Sequence, residues 1–418
     1  MRSPTRKPSG SSQRSSDLYR LDTNPEIIEL MKYCKRQSNR ELCVGSISPA
    51  EICLNPGGTG YRGIFAKKKI RTSEEILNYS EKLLITSSSL PSDISKLKNI
   101  KLQSKLALFV AEEKQKKSYS VYHPYINSLP NDFEDLCGYL SNSEIQKLPS
   151  SLRTHVLNQI SDIDSGFNEI QTQTQQFLHV TFEEFKWGWY VVNTRSVFYQ
   201  PVDTASNEMA LAPFLDMFNH SPQANTKVAF LETPYKRGYV FIALRDIAPR
   251  EEVLISYGAH PNYKLWLDYG FVSCIPNVHN IVPLTILSLA AKNQWLDKIM
   301  NNRQFRKKKQ ILDSYKLDQA LFLSSTEISP QISVLIALHY WDSGRSAEND
   351  SHFTFEISQD KQEESLCLIK QIVYSEIAEY EKSLVALKDV DSKAVKSAVA
   401  CIQDCICVLT ELNASLHD

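Results

Sequence analysis

The feature that most limits the fold is a long helix-patterned stretch set between two strand-rich ones. On the N-terminal side, Gly57-Gly58-Thr59-Gly60-Tyr61-Arg62-Gly63-Ile64-Phe65-Ala66 reads as a glycine-punctuated turn entering a strand. Glu75-Ile76-Leu77-Asn78-Tyr79 reads as another, followed by the apolar Leu83-Leu84-Ile85. From Pro91 to about Gln176 the chain becomes polar with helical spacing, broken by His123-Pro124-Tyr125-Ile126-Asn127-Ser128-Leu129-Pro130. Strand-like runs return at Val228–Leu231 and Tyr239–Leu244, separated by the turn-rich Thr233-Pro234-Tyr235-Lys236-Arg237-Gly238, so a hairpin is predicted. Glu252–Ser256 is predicted as a third strand. After about Cys274 the pattern is helical to the end, at Leu284–Trp295, Pro330–Trp341, Glu363–Lys382 and Val390–Leu412. The expected class is α+β.

At 418 residues the chain exceeds one small core. Hydrophobic content of 42% with 23% charged residues fits a soluble globular protein. A net charge of -1 gives no polyelectrolyte character, so no direct nucleic-acid binding is expected. No apolar run is long enough to cross a bilayer, and the N-terminus shows no apolar signal core. Residues 1–23, rich in Ser, Pro, Arg and Lys, are predicted to be a disordered basic arm. A helix is predicted from Asn24-Pro25 with Ile27, Ile28, Met31 and Cys34 on one face. The 9 cysteines lie mostly in apolar runs, which points to reduced thiols and a nuclear or cytoplasmic setting.

Two motifs stand out in order: Asp216-Met217-Phe218-Asn219-His220-Ser221, then Leu254-Ile255-Ser256-Tyr257-Gly258 running on to Asp268-Tyr269-Gly270-Phe271. Taken singly, each has a bland reading. An Asn-His pair is commonly a loop feature, Tyr257 could be a core aromatic, and Arg195 could belong to a structural ion pair. The glycines at 57–63 fit neither the Walker pattern nor the dinucleotide fingerprint. As an ordered set with Gly60–Ala66, His123–Pro130 and Asn193-Thr194-Arg195-Ser196, they resemble the SET-domain methyltransferases. The branch resembled is the one that includes the RuBisCO large-subunit lysine methyltransferase.

The resemblance implies a β-rich SET core over residues 24–272 with its helical insertion at about 91–180, and an all-helical substrate-binding domain over 273–418. It implies S-adenosyl-L-methionine as cofactor and a protein substrate, a histone or another lysine-bearing protein. Arg62, Gly63, Ile64 and Phe65 match the backbone segment that lies along the cofactor. Arg195 matches an arginine that pairs with its carboxylate. Asn219 and His220 match the pair that holds the adenine, with the Asn side chain reaching toward the amino-acid end and Asp216 ordering the turn. Tyr257 matches the residue facing the methyl transfer, Tyr269 the lysine channel, and Phe271 the flank of the adenine. A channel of this kind must deliver a neutral amine, and an aromatic, desolvated lining lowers a lysine pKa.

Many SET enzymes close the channel with a cysteine-bound zinc, but only Cys274 follows Phe271 here. Cys401, Cys405 and Cys407 fall on an apolar helical face and read as core thiols, so no metal is expected. Arg306-Lys307-Lys308-Lys309 reads as a solvated face, with a nuclear-import address or a contact with an acidic partner as the alternatives. A monomer distributed between nucleus and cytoplasm is expected. Histidine methylation and a catalytically silent SET scaffold are the alternatives to lysine methylation. Presence of Arg195, Asn219, His220 and Tyr257 together argues against the scaffold.

Overall fold

The structure is a computed structural model and describes residues 19–21, 24–38, 46–52, 61–201, 208–233, 236–296, 321–340 and 359–417. The glycines at 57–60, the basic run at 306–309 and most of the N-terminal arm lie outside these residues. In chain order the strands are β1 (Tyr19–Leu21), β2 (Ile47–Ile52), β3 (Tyr61–Ala66), β4 (Glu75–Ser80), β5 (Ser196–Tyr199), β6 (Glu208–Leu211), β7 (Thr226–Thr233), β8 (Lys236–Ala243), β9 (Val282–Pro283) and β10 (Phe322–Leu323). The helices are α1 (Pro25–Gln37), α2 (Ser92–Ser95), α3 (Leu102–Gln115), α4 (His123–Ser128), α5 (Asn142–Ile145), α6 (Ser150–Gln173), α7 (Phe182–Arg195), α8 (Asn262–Tyr269), α9 (Ile286–Lys292), α10 (Pro330–Tyr340), α11 (Gln362–Leu387) and α12 (Lys393–Ser415). The α+β class holds, with a helical insertion and a helical C-terminal region that also carries the short β9–β10 pair.

The chain divides into two compact units. Residues 1–130 with 178–257 form the first, and residues 131–177 with 258–418 the second. The first unit holds small antiparallel sheets, β1-β2-β3, β4-β8-β7 and β5-β6. The predicted hairpin is present, with Thr233 opposite Lys236 and Val228 opposite Phe241. Tyr19–Leu21, assigned to a disordered arm by composition, pair with β2 instead.

Helix α1 starts where Asn24 accepts a hydrogen bond from the Glu26 backbone N–H, with Pro25 in its first turn. Its buried face is Ile27, Leu30, Tyr33 and Cys34. Ile28, predicted on that face, is exposed, because 27, 30 and 34 follow the 3.6-residue period and 28 does not. Helix α7 begins in a capping box between Thr181 and Glu184 and buries Phe185, Trp187, Trp189 and Val192. It packs on α3 at Gly188, where a Cβ would fall 2.3 Å from the Ala107 carbonyl oxygen. Only a glycine permits that approach. The helix ends on Arg195, so the fold presents this cation at a helix C-terminus.

Glu252–Ser256 is not a regular strand. It makes single bridges, Glu252 to Phe65 and Ile255 to His220. On one side the Val253 N–H donates to the Ile64 carbonyl at 2.7 Å, and the Glu251 carbonyl accepts from Ala66 at 2.9 Å. On the other, Ile255 exchanges hydrogen bonds with Asn219 and Ser221, at 3.0 and 2.9 Å. The segment thus switches partner midway, which breaks any ladder while satisfying its backbone.

The second unit is organised by helix periodicity. Helix α6 buries Leu152, Val156, Ile163 and Ile170, and α12 buries Val395, Ala398, Ile402, Cys405, Leu409 and Leu412. Leu152, Val156 and the α12 residues meet Trp266, Leu335 and Tyr380 in one core. Cys401 and Cys405 are buried in it, and Cys407 is exposed.

Candidate functional site

The Asp216–Ser221 segment is a constrained turn. Phe214 adopts φ 75°, a left-handed conformation rare for a bulky residue, immediately before a one-turn helix at Leu215–Met217. The turn is held by its own core: the Phe218 ring lies 4.8 Å from that of Phe241, and the Pro213 carbonyl accepts the Tyr79 hydroxyl at 3.2 Å. Burial of Phe214 and Phe218 makes the strained conformation affordable locally.

That turn brings the predicted residues of the first unit together. The Asn219 amide nitrogen donates to the Arg62 carbonyl at 2.9 Å and to Glu252 Oε1 at 2.7 Å. This fixes the amide, leaving its oxygen as the acceptor end. Gly63 makes room for the arrangement: a Cβ there would fall 2.3 Å from Glu252 Oε1 and 2.8 Å from Asn219 Nδ2. Ile64 and Phe65, both buried, continue the same strand. His220 Nδ1 accepts the Tyr257 N–H at 3.0 Å, so a neutral ring carries its proton on Nε2. The Tyr257 hydroxyl donates to the Phe218 carbonyl at 2.8 Å, and its ring lies 5.2 Å from that of His220.

Arg195 and Asp216 form a buried ion pair. Arg195 Nη1 donates to Asp216 Oδ2 and to the Asp216 main-chain carbonyl, both at 3.3 Å. The Tyr125 hydroxyl donates to the same Oδ2 at 3.0 Å. Asp216 is 1% exposed, and Arg195 22%. Burial raises the Asp216 carboxyl above its usual range, and the Arg195 charge with the Tyr125 hydrogen bond offsets only part of that. Burial works against the Arg195 charge, yet Asp216 and then Tyr125 hold it firmly protonated. Arg195 Nε is buried with no protein hydrogen-bond partner.

Sequence reasoning placed Arg62, Gly63, Arg195, Asp216, Asn219, His220 and Tyr257 as site residues, and the structure joins them through these contacts. It missed Glu252 and Tyr125. The signal available for Tyr125 was its place in the Pro-Tyr motif of the insertion; for Glu252 nothing in its acidic neighbourhood marked it. Tyr269 and Phe271 belong to the second unit, where their ring centroids lie 6.3 Å apart. Burial, then Asp268, pushes the Tyr269 hydroxyl up to about 12. The second unit also has a polar cleft of about 680 Å³ beside α12, around Asn262, Asn280 and Asp404. None of the predicted site residues lines it.

Residues 61–258 match the SET domain family model, the span that contains the first-unit site residues from Arg62 to Tyr257. The chain carries a SET domain over that span. Among its relatives is SET domain-containing protein 4 of Mus musculus, 30% identical over 301 residues, covering 67% of this chain and 65% of that one. The chain spans 59% to 65% of the length of the relatives of that name that it matches. A ribosomal lysine N-methyltransferase of Schizosaccharomyces pombe is 35% identical over 139 residues, 32% of this chain and 33% of that one. An actin-histidine N-methyltransferase of Xenopus tropicalis is 26% identical over 267 residues, 58% of this chain and 42% of that one. The fold is that of the SET domain of Rubisco LSMT, solved with lysine and AdoHcy, at a TM-score of 0.69 and 18% identity over 95% of this chain and 92% of that one.

Proposed function

We propose that the chain is an S-adenosyl-L-methionine-dependent protein-lysine N-methyltransferase, with a histone or another protein as substrate. The observation that carries the reading is the buried Arg195 edge, with an unpartnered Nε, held by Asp216 of the turn that carries the oriented Asn219 amide. Together they offer a cationic fork and a neutral acceptor, the complement of an amino acid's carboxylate and ammonium. The backbone of Arg62 and Gly63, tied to Asn219 through the Arg62 carbonyl, and the Asn219-His220 turn would line the rest of the donor. When bound, S-adenosyl-L-methionine supplies a methyl group on a positively charged sulfur.

The chain's own residues supply position. Tyr257 gives its only hydroxyl proton to the Phe218 carbonyl, so its oxygen can act only as an acceptor toward anything entering the site. An acceptor there aligns an incoming N–H without forcing a charge on the amine. Holding the reacting atoms in line is worth about 7–11 kcal/mol, so no strong general base is required. Solvent takes the amine proton before the side chain is desolvated. Tyr269 and Phe271 keep the roles that the resemblance implies for them.

The second reading is methylation of a histidine, favoured by the likeness to the Xenopus tropicalis enzyme. Radiolabelled methyl transfer to matched lysine and histidine peptides and to nuclear extract, with Tyr257→Phe and Asn219→Ala as controls, separates the two. Labelling of lysine that both variants lose is the expected result. Cofactor binding without any labelling would support the silent scaffold.

A further inference from the structure

We propose that Tyr125, from the His123–Pro130 motif of the insertion, is a positioning residue for the donor site, setting the angle of Arg195 through Asp216. The proposal rests on the donor-site reading above and adds a part that the motif had lacked.

Tyr125 is fully buried, on a helix of six residues with Pro124 in its first turn. Its backbone is pinned at both ends: its N–H donates to the Tyr122 carbonyl at 2.9 Å, and its carbonyl accepts the Ser128 hydroxyl at 2.7 Å. The neighbouring Tyr122 ring stands edge-on to Phe109 of α3 at 5.3 Å, and α4 packs on α1 and α3. The phenol therefore reaches Asp216 from a rigid apolar wall. Its 3.0 Å bond is shorter than either 3.3 Å contact from Arg195. Charged pairs of good geometry run at about 2.7–2.9 Å, so the arginine alone holds this carboxylate loosely. The tyrosine fixes the carboxylate, and the carboxylate occupies Nη1, which leaves the Nε edge of the guanidinium buried without a protein partner. A buried N–H without a partner is expensive, and an anionic ligand group at that edge is what would satisfy it.

The charged and titratable groups around the pair are Cys34 and Tyr33 from α1, Tyr79 from β4, Tyr125 from α4 and Tyr257 facing Arg195. Burial pushes Cys34 up to about 12 and raises the hydroxyls of Tyr33, Tyr79 and Tyr125, so these four are uncharged near neutral pH. Asp216 is thus the group whose protonation would release Arg195 at the acid end.

The test is calorimetric binding of S-adenosyl-L-methionine and S-adenosyl-L-homocysteine to the full chain between pH 5 and 9, for wild type, Tyr125→Phe and Arg195→Ala. Removing one hydrogen bond to a charged group should weaken binding about tenfold in Tyr125→Phe. The acid limb of affinity should move up by about one pH unit, since the carboxylate loses a donor. Equal affinity and an unmoved limb in a folded variant would overturn the relay and leave the donor site standing, provided Arg195→Ala binds weakly. A loss uniform across pH would mean packing alone and would also overturn it. Wild type binding neither compound would overturn both the donor reading and the relay. Should Tyr125→Phe not fold, 3-fluorotyrosine at this position keeps the ring and strengthens the donor. It must move the limb to lower pH, and an unmoved limb overturns the proposal.

Discussion

Tyr257 has one proton to give, and the Phe218 carbonyl takes it. Phenylalanine at 257 keeps the ring against His220 but removes the acceptor oxygen. Loss of one such contact in a desolvated site is worth about 1–3 kcal/mol, so kcat should fall about ten- to a hundredfold with donor affinity little changed. Paired kinetics and calorimetry check this, and an unchanged kcat would remove Tyr257 from the reaction. A second residue-scale effect lies at the surface. Lys69, then the Thr72 backbone N–H and hydroxyl, hold the Asp246 carboxyl down to about 2. The Thr72 contacts are 2.9 and 3.0 Å, and the Lys69 pair 2.7 Å. A carboxyl lowered on folding stabilises above its ordinary value of 3.8 and loses that contribution as pH falls toward 2. The gap in denaturation midpoint between wild type and Asp246→Asn should therefore be full at neutral pH and narrow between about pH 4 and 2.

At the scale of elements, the α3–α7 crossing carries the most weight, because it sets where Arg195 emerges. Gly188→Ala would drive a methyl into the Ala107 carbonyl, and neither helix backbone can yield locally. Overpacking of this kind costs about 1–3 kcal/mol, read as a lower urea midpoint with an unchanged slope. The helices and the β7–β8 hairpin were legible because each repeats its own period over many residues. Glu252–Ser256 was misread for a physical reason. Its short apolar run, Val253-Leu254-Ile255, is that of a strand, but its neighbours change from β3 to the Asn219 turn within a few residues. Pattern reports burial, not the identity of the partner across the hydrogen bonds. Ile28 was misassigned on α1 because adjacent apolar residues share a run without sharing a face.

For the molecule as a whole, the second unit contains an ion cluster that sequence did not announce. Lys292 donates to Glu376, which is wholly buried, and to Glu379 at 2.5 Å; Glu379 also accepts from Ser150. These charges join α9, α11 and α6 through positions far apart in the chain. Lys292→Met strands a buried carboxylate and should destabilise by about 3–5 kcal/mol, seen in the thermal midpoint. Lys292→Met with Glu376→Leu should recover most of the loss, because the carboxylate that remains, Glu379, is partly exposed and keeps its Ser150 hydrogen bonds. A double variant as unstable as the single one would show that the cluster acts through something other than charge.

The order of its motifs was enough for the sequence to define the family, and the 3.6- and 2-residue periods gave the class and most of the elements. Those signals are local, each written in residues that are neighbours along the chain or along one face. What folding alone settled is which groups share a hydrogen bond: Tyr125 with Asp216, Glu252 with Asn219 across the space Gly63 leaves open, Lys292 with Glu376. Such partners lie tens of residues apart, and their meeting depends on distances and on dehydration that no run of letters contains.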